Sequence, residues 1–316
     1  MIHIDKGNKV KINEVILIGN DMLEATKVKR KFKETKEKKF YRLWKASKFI
    51  EEDYEADKRA LIDHYNELGY RDAKIVGDSI YPYDDKSINV QIRIDEGVKY
   101  YFRDINWVGN TKYPDEVLSQ VLDIKKGDPY NSAKLDKNLY MNLDGIDVNA
   151  LYLDNGYLFF NLTPVEVKVE GDSIDLEIRI SEGKQAIIRN VTIKGNNKTN
   201  DHVILRELRT RPGQLFNRSD IIRTQRELAS LGFFNAESLG VNPKPNPEDG
   251  TVDIEYIVEE TSQDQFELSG GWGVGRIVGT LGLSFSNFSL QNLFNKEAWQ
   301  PLPSGDGQKL SLRAQT

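Results

Sequence analysis

The sequence predicts an α+β chain: three tandem copies of a β-α-α-β-β module, each a three-stranded mixed sheet carrying two helices, followed by strands of a different texture. Two observations predict it. An apolar/polar alternation running into a Glu-rich stop occurs three times: Ser87-Ile88-Asn89-Val90-Gln91-Ile92-Arg93-Ile94-Asp95-Glu96-Gly97, then Ser173-Ile174-Asp175-Leu176-Glu177-Ile178-Arg179-Ile180-Ser181-Glu182-Gly183, then Thr251-Val252-Asp253-Ile254-Glu255-Tyr256-Ile257-Val258-Glu259-Glu260. The copies lie 86 and 78 residues apart. Period-two alternation places Ile, Leu and Val on one strand face and charges on the other, which describes a half-buried strand. Its recurrence at this spacing means a row of small, similar domains. Each copy is also preceded by a strand ending in Gly-Asn, at Gly19-Asn20, Gly109-Asn110 and Gly195-Asn196. Both residue types tolerate positive φ and suit a sharp exit from a strand.

A short helix is predicted after each Gly-Asn, best seen over Asp201–Leu208, with Thr199 or Asn200 placed to cap it. A longer helix follows and closes at Gly-aromatic. Tyr54, Leu61, Tyr65 and Leu68 precede Gly69-Tyr70, and Ile221, Ile222, Leu228, Ala229 and Leu231 precede Gly232-Phe233. The second copy reaches Asn155-Gly156-Tyr157, with a break expected at Gly145. The joints Glu96-Gly97-Val98-Lys99 and Glu182-Gly183-Lys184-Gln185 are short and lack a Gly/Ser tract, so limited hinge freedom is expected. The resulting boundaries are 1–97, 98–183, 184–260 and 261–316.

After Thr261 the pattern changes. Phe266, Leu268, Gly270 and Trp272 alternate with Glu267, Ser269 and Gly271; Leu281, Leu283 and Phe285 alternate with small or polar residues, as do Leu310 and Leu312. Large apolar residues on one face and small or polar ones on the other read either as transmembrane β-barrel strands or as an ordinary soluble β-meander. A closed membrane barrel needs at least about eight strands, so these are expected to be the first strands of an incomplete barrel. The glycines of Gly270 to Gly275 fit no G-x-G-x-x-G frame and precede a strand, which excludes a nucleotide loop.

Composition narrows the chemistry. The 316 residues contain no Cys, which excludes disulfides, thiolate zinc sites and Cys nucleophiles. No apolar run reaches the length of a transmembrane helix. The start, Met1-Ile2-His3-Ile4-Asp5-Lys6, has no basic-then-apolar leader, which leaves two readings: a cytoplasmic protein, or a piece of an exported precursor. The three His are isolated, and no H-E-x-x-H, G-x-S-x-G or P-loop is present. No enzyme, cofactor, metal or small-molecule substrate is expected.

Net charge is −5, yet Lys27 to Lys48 holds eleven Lys/Arg against Glu34 and Glu37, a local +9. This run reads either as a solvated insertion or as a basic patch for anionic lipid headgroups or an acidic partner. The candidate contact residues are Lys36, Lys38, Lys39, Phe40, Tyr41, Arg42, Trp44 and Lys45. The acidic remainder argues against nucleic acid.

The order Gly-Asn, Gly-aromatic, Glu-Gly, repeated three times, resembles the POTRA domain. The third copy carries it most fully, with Ile193 to Thr199, Arg206-Glu207-Leu208, Gly213-Gln214-Leu215-Phe216 and Leu231-Gly232-Phe233-Phe234. Followed by Gly-rich strands, the whole is similar to the BamA family of outer-membrane-protein assembly factors, with these as the third, fourth and fifth of five POTRA domains. The basic insertion departs from that pattern. The resemblance implies POTRA domains in the periplasm of a Gram-negative-type cell and a barrel in its outer membrane. It implies unfolded outer-membrane proteins as clients, accessory outer-membrane lipoproteins and outer-membrane lipid as partners, and folding of clients without nucleotide or metal. The competing readings are a secretion transporter of the same superfamily and a barrel-less POTRA scaffold.

Clients would be held by β-augmentation on an exposed edge. The second strand of each repeat is the expected edge. Pro164 interrupts it in the second repeat and Pro243, Pro245 and Pro247 in the third, whereas the first offers Ala73-Lys74-Ile75-Val76-Gly77-Asp78-Ser79-Ile80 before Pro82. Lys74 and Asp78 are expected there as guards against indiscriminate pairing.

Overall fold

The computed structural model describes residues 10–37, 48–142, 144–261, 264–273, 275–299 and 302–315. The chain divides into two compact units, Met1–Asn142 with Leu162–Ile180, and Leu143–Asn161 with Ser181–Thr316. This division does not follow the sequence repeat: the second repeat gives its strands to the first unit and its last helix to the second.

The first unit holds β1 (Lys11–Ile18), α1 (Ala25–Lys29), α2 (Glu51–Glu67), β2 (Lys74–Asp84) and β3 (Ser87–Asp95), then β4 (Tyr101–Val108), α3 (Asp115–Leu122), α4 (Ser132–Tyr140), β5 (Asn161–Glu170) and β6 (Ser173–Ser181). Its sheets are ordered β1-β3-β2 and β4-β6-β5, so the alternating strand is central in each, as the sequence predicts. β1 pairs parallel and β2 antiparallel with β3. Val90, Ile92 and Ile94 are buried, as are Ile174, Leu176, Ile178 and Ile180. Each such side chain contributes about 1.5–3 kcal/mol on burial. The alternation weakens at the start of β3. Ile88 is only half-buried, while Asn89 on the opposite face is covered by Asn13, whose Nδ2 donates to its Oδ1 at 2.9 Å.

The second unit begins with α5 (Val148–Leu153), followed by β7 (Ile187–Lys194), α6 (Asp201–Leu205), α7 (Arg218–Ser230), β8 (Gly240–Asn246) and β9 (Thr251–Ile257), in sheet order β7-β9-β8. The break at Gly145 is present: α4 ends at Tyr140 and α5 restarts at Val148, capped by Asp147 accepting from the Ala150 N–H at 2.7 Å. α6 ends at Leu205, short of Leu208. Asn200 is its N-cap residue but makes no side-chain cap bond. Asn196 closes that turn, its Nδ2 donating to Thr199 O at 3.0 Å and to Asp201 Oδ1 at 2.6 Å.

Two devices recur in every repeat, and a third joins successive repeats. The first strand slips register once, between Ile12 and Glu14, Phe102 and Asp104, or Ile188 and Asn190. The extra residue reaches onto the central strand: Asn13 to Asn89, Arg103 to Asp175 in two bonds of 2.7 and 2.6 Å, Arg189 to Asp253 at 3.0 Å. These guanidiniums hold the Asp175 and Asp253 carboxyls below the usual carboxylate range.

The second device is a buried polar residue on the apolar stripe of the second helix, which pins the end of the first helix or the loop after it. Asp57 accepts from the N–H groups of Lys33 (2.8 Å), Glu34 (3.1 Å) and Thr35 (2.6 Å). Asn138 donates to Leu122 O at 2.8 Å, and Thr224 Oγ1 accepts from Arg209 N–H at 3.0 Å.

The third device sits at the joints. Asn131 and Asn217 cap α4 and α7 through Oδ1 while donating Nδ2 to the preceding repeat's helix end, at Glu67 O and Asp154 O, each at 2.9 Å. Main-chain bonds add to this, Tyr100 N to Gly69 O at 2.8 Å and Ala186 N to Gly156 O at 2.7 Å. Side-chain bonds also cross both joints, Arg71 to Glu166 at 2.7 Å and Ser219 to Asp154 at 2.6 Å.

Candidate docking edge and amphipathic strands

β2 has β3 on one side only and continues through Pro82, which sits opposite Ile88. Its ladder slips between Ile75 and Gly77, so Val76 is an extra residue, 51% exposed. The slip turns Asp78, opposite Ile92, toward α2. There its carboxylate accepts from Lys58 Nζ at 3.0 Å and Tyr54 Oη at 2.9 Å. The bond from Lys58, with that from Tyr54, holds the Asp78 carboxyl below its usual range, and burial drives the Tyr54 phenol far above its own.

Asp78 is therefore not a free guard on the edge. Lys74 is paired across the ladder with Asp95 at 3.3 Å, and Ala73 is buried before the strand begins. The open part is Val76, Gly77, Ser79 and Ile80, continuing through the exposed Tyr81 and Tyr83. Beside it runs a groove of about 520 Å³, walled by Lys58, Arg59, Ile62 and Asp63 of α2 and by Ile75 to Asp78 of β2. A helix wall facing an open strand edge is a geometry in which an extended peptide adds main-chain bonds and seats alternate side chains. The sequence reading missed the helix wall. Its one signal was Ile62, an apolar residue beside the Tyr54–Leu61–Tyr65 stripe rather than on it.

The other edges are more protected. β5 contains Pro164, and β8 contains Pro243 and Pro245. β4 is bonded by the loop before α4, with Phe102 N to Asp128 O at 2.9 Å; β7 is bonded by Ile188 N to Gln214 O at 2.8 Å. In the first repeat the Glu37 carboxylate takes the Val15 N–H at 3.2 Å and Lys29 Nζ at 2.7 Å. The first part of the basic run, up to Glu37, is thus tied down, and Lys36 lies in this segment. Lys38, Lys39, Phe40, Tyr41, Arg42, Trp44 and Lys45 lie outside the described residues.

The Asp78 tie has a defined pH dependence. A carboxyl held below its unfolded value stabilises the fold above that value and loses the contribution as pH falls through the folded one. Amide exchange at Gly77 to Ser79 is expected to be unchanged between pH 7 and 5 after correction for intrinsic rates, and to accelerate only below about pH 4. Acceleration between pH 7 and 5 would contradict the assignment.

Beyond the third repeat, β10 (Gln265–Gly273), β11 (Arg276–Phe288) and β12 (Gln308–Gln315) form an open antiparallel meander. Its register sorts the side chains by face. Phe266 lies opposite Leu283 and Leu283 opposite Leu312; Leu268 lies opposite Leu281 and Leu281 opposite Ala314. The other face aligns Glu267, Gly282 and Arg313, and Gln265, Ser284 and Ser311, with Glu267 paired to Arg313 at 3.6 Å. On the apolar face Phe266 is 67%, Leu268 75% and Trp272 77% exposed. An apolar face this open suits lipid rather than water.

The POTRA family, described as "Surface antigen variable number repeat", matches residues 10–97, 100–183 and 186–261. The chain belongs to the POTRA family. Among curated proteins it is 26% identical to the outer membrane protein assembly factor BamA of Neisseria meningitidis serogroup B, over 99% of this chain and 37% of that protein. It is 28% identical to BamA of Neorickettsia risticii, over 82% of this chain and 34% of that protein. The chain thus spans about a third of the length of these relatives. Among solved structures, POTRA3-5 of Haemophilus influenzae BamA matches with TM-score 0.60 at 20% identity, covering 80% of this chain and 97% of that one. Haemophilus ducreyi BamA lacking POTRA domains 1-3 matches with TM-score 0.53 at 20% identity, over 69% of this chain and 37% of that one. These likenesses establish the fold: three POTRA modules, each with a mixed three-stranded sheet, followed by barrel-type strands that do not close.

Proposed function

We propose that this chain is the client-receiving segment of an outer-membrane-protein assembly factor. Its repeats are the last three POTRA domains before the membrane, and residues 261–316 are the start of the barrel. The observation that carries this is the direct run from the third POTRA repeat into strands with one apolar and one polar face. Curated relatives named as assembly factors support it. The POTRA domains lie in the periplasm and the strands in the outer membrane. Unfolded outer-membrane proteins are the clients, and accessory lipoproteins and membrane lipid are further partners. The role is non-enzymatic, since strand addition draws its free energy from backbone hydrogen bonds and buried side chains.

Clients dock on the β2 edge, in the groove beside α2. An aspartate in place of Val76 puts a charge on the apolar floor without disturbing the core, because Val76 is half-exposed. Site-specific photo-cross-linking of an unfolded barrel-protein segment to Val76→Asp is expected to fall about tenfold, the loss of about 1.4 kcal/mol of apolar contact. The β8 variant Asn242→Asp is expected to bind as wild type. Undiminished cross-linking in Val76→Asp with loss in Asn242→Asp would move the docking edge to the third repeat.

A further inference from the structure

The connection between β11 and β12 has no counterpart in the repeat plan. It carries two 3-10 turns, Gln291–Phe294 and Lys296–Ala298. It is internally braced: Asn292 N donates to Ser289 Oγ at 3.0 Å, Asn292 Nδ2 to Ser304 O at 2.9 Å, and Trp299 Nε1 to Leu293 O at 3.2 Å. Its back is bonded to the third POTRA repeat. Asn200 N donates to Gly305 O at 2.9 Å and Asn200 Nδ2 to Asp306 Oδ1 at 2.8 Å, while Asn287 Nδ2 donates to Thr199 Oγ1 at 2.9 Å. Asp306, Ser289 and Thr199 are buried. The front is the opposite: Leu290 is 64%, Phe294 93% and Trp299 44% exposed, with Leu293 beside them.

We propose that this connection is an interfacial foot, which seats the third POTRA repeat on the surface of a phospholipid bilayer through Leu290, Leu293, Phe294 and Trp299. A braced turn cannot fold these side chains away, so their exposure is built in. An indole with its N–H satisfied, beside Phe and Leu, is the chemistry of the bilayer–water boundary. The lipid occupant follows from continuity. The foot lies at the end of β11 and β12 nearest the third repeat, where the apolar face descends through Leu281 and Leu283 to Phe285 and Leu310. Below it, Phe285, Phe288, Leu302 and Pro303 form the apolar side of a cavity of about 440 Å³, whose other walls include Lys198 and Glu260 of the third repeat. Lys296 and Glu297 cancel in charge, so seating needs no anionic lipid. The inference rests on reading β10–β12 as membrane strands.

The test places single cysteines, each bearing a fluorophore, in the full-length protein with any other cysteine replaced. Phe294→Cys reports the foot, Leu268→Cys the membrane face, and Glu248→Cys in the β8–β9 turn the aqueous control. The protein is reconstituted in phosphatidylcholine vesicles carrying nitroxide near the headgroup or deep in the acyl chain. Residue 294 is expected to be quenched by the shallow nitroxide and to be at least threefold less sensitive to aqueous iodide than residue 248. Matching residue 248 overturns the foot, as does protection from both quenchers, which would indicate a protein contact. A lipid-quenched residue 268 beside an aqueous residue 294 sinks the foot alone. Absence of lipid quenching at both positions sinks the membrane-strand reading with it.

Discussion

Alanine at Gly195 is expected to destabilise the third POTRA repeat by about 2–5 kcal/mol. Gly195 has φ +95°, and a Cβ there would lie 1.9 Å from the Val258 carbonyl oxygen. The left-handed backbone costs a non-glycine residue about 1–2 kcal/mol, and forcing β7 away from the end of β9 adds an overpacking cost of about 1–3 kcal/mol. The damage spreads because the Glu260 carboxylate accepts the N–H groups of Lys198 (2.9 Å) and Thr199 (2.6 Å) just beyond. Gly213→Ala is the control. Gly213 has φ +85° but nothing within 4 Å of a Cβ, so it carries the backbone cost alone. Urea unfolding monitored through third-repeat amides should separate the two, and equal losses would show that the close approach does not matter. A Cβ at Gly19 or Gly109 would lie 2.1 Å from the Ile94 or Ile180 carbonyl oxygen, so both are expected to behave like Gly195.

Asp57→Ala is expected to cost about 3–5 kcal/mol in the first repeat. Asp57 is 3% exposed and accepts three main-chain N–H groups, one of them on the buried Thr35. Removing it leaves donors under the helix without an acceptor, at about 1–3 kcal/mol for each that water does not reach. Asp57→Asn keeps one oxygen and should lose less than half as much. Hydrogen exchange at Lys33, Glu34 and Thr35 reads the effect directly. Unchanged protection in Asp57→Ala would mean the loop is held by Phe32 packing and the Glu37 bonds rather than by Asp57.

The sequence was most informative where the physics is local. Alternation over Ser87 to Asp95 and its two copies specified a central strand and its buried face, because side chains point to opposite sides every residue whatever the surroundings. Gly-Asn and Gly145 marked exit and break because positive φ is a property of single residues. The β2 edge followed from strand order and proline chemistry. Its charges did not: Asp78 reads as a solvent guard until the slip at Val76 turns it onto Lys58 and Tyr54. Asp57, Asn138 and Thr224 looked like ordinary polar residues, although each occupies the apolar stripe of its helix, which is a legible anomaly.

By itself the sequence determined the module, its threefold repetition and the change of material after Thr261. Tertiary structure decided what joins them: the division into units that cuts through the second repeat, the groove between α2 and β2, and the foot. These rest on pairs far apart in the chain, such as Asn200 with Asp306, 106 residues away. Periodicity and turn preference carry no information about which distant polar groups meet. That is set only when packing brings them together and burial makes an unmet donor or acceptor costly.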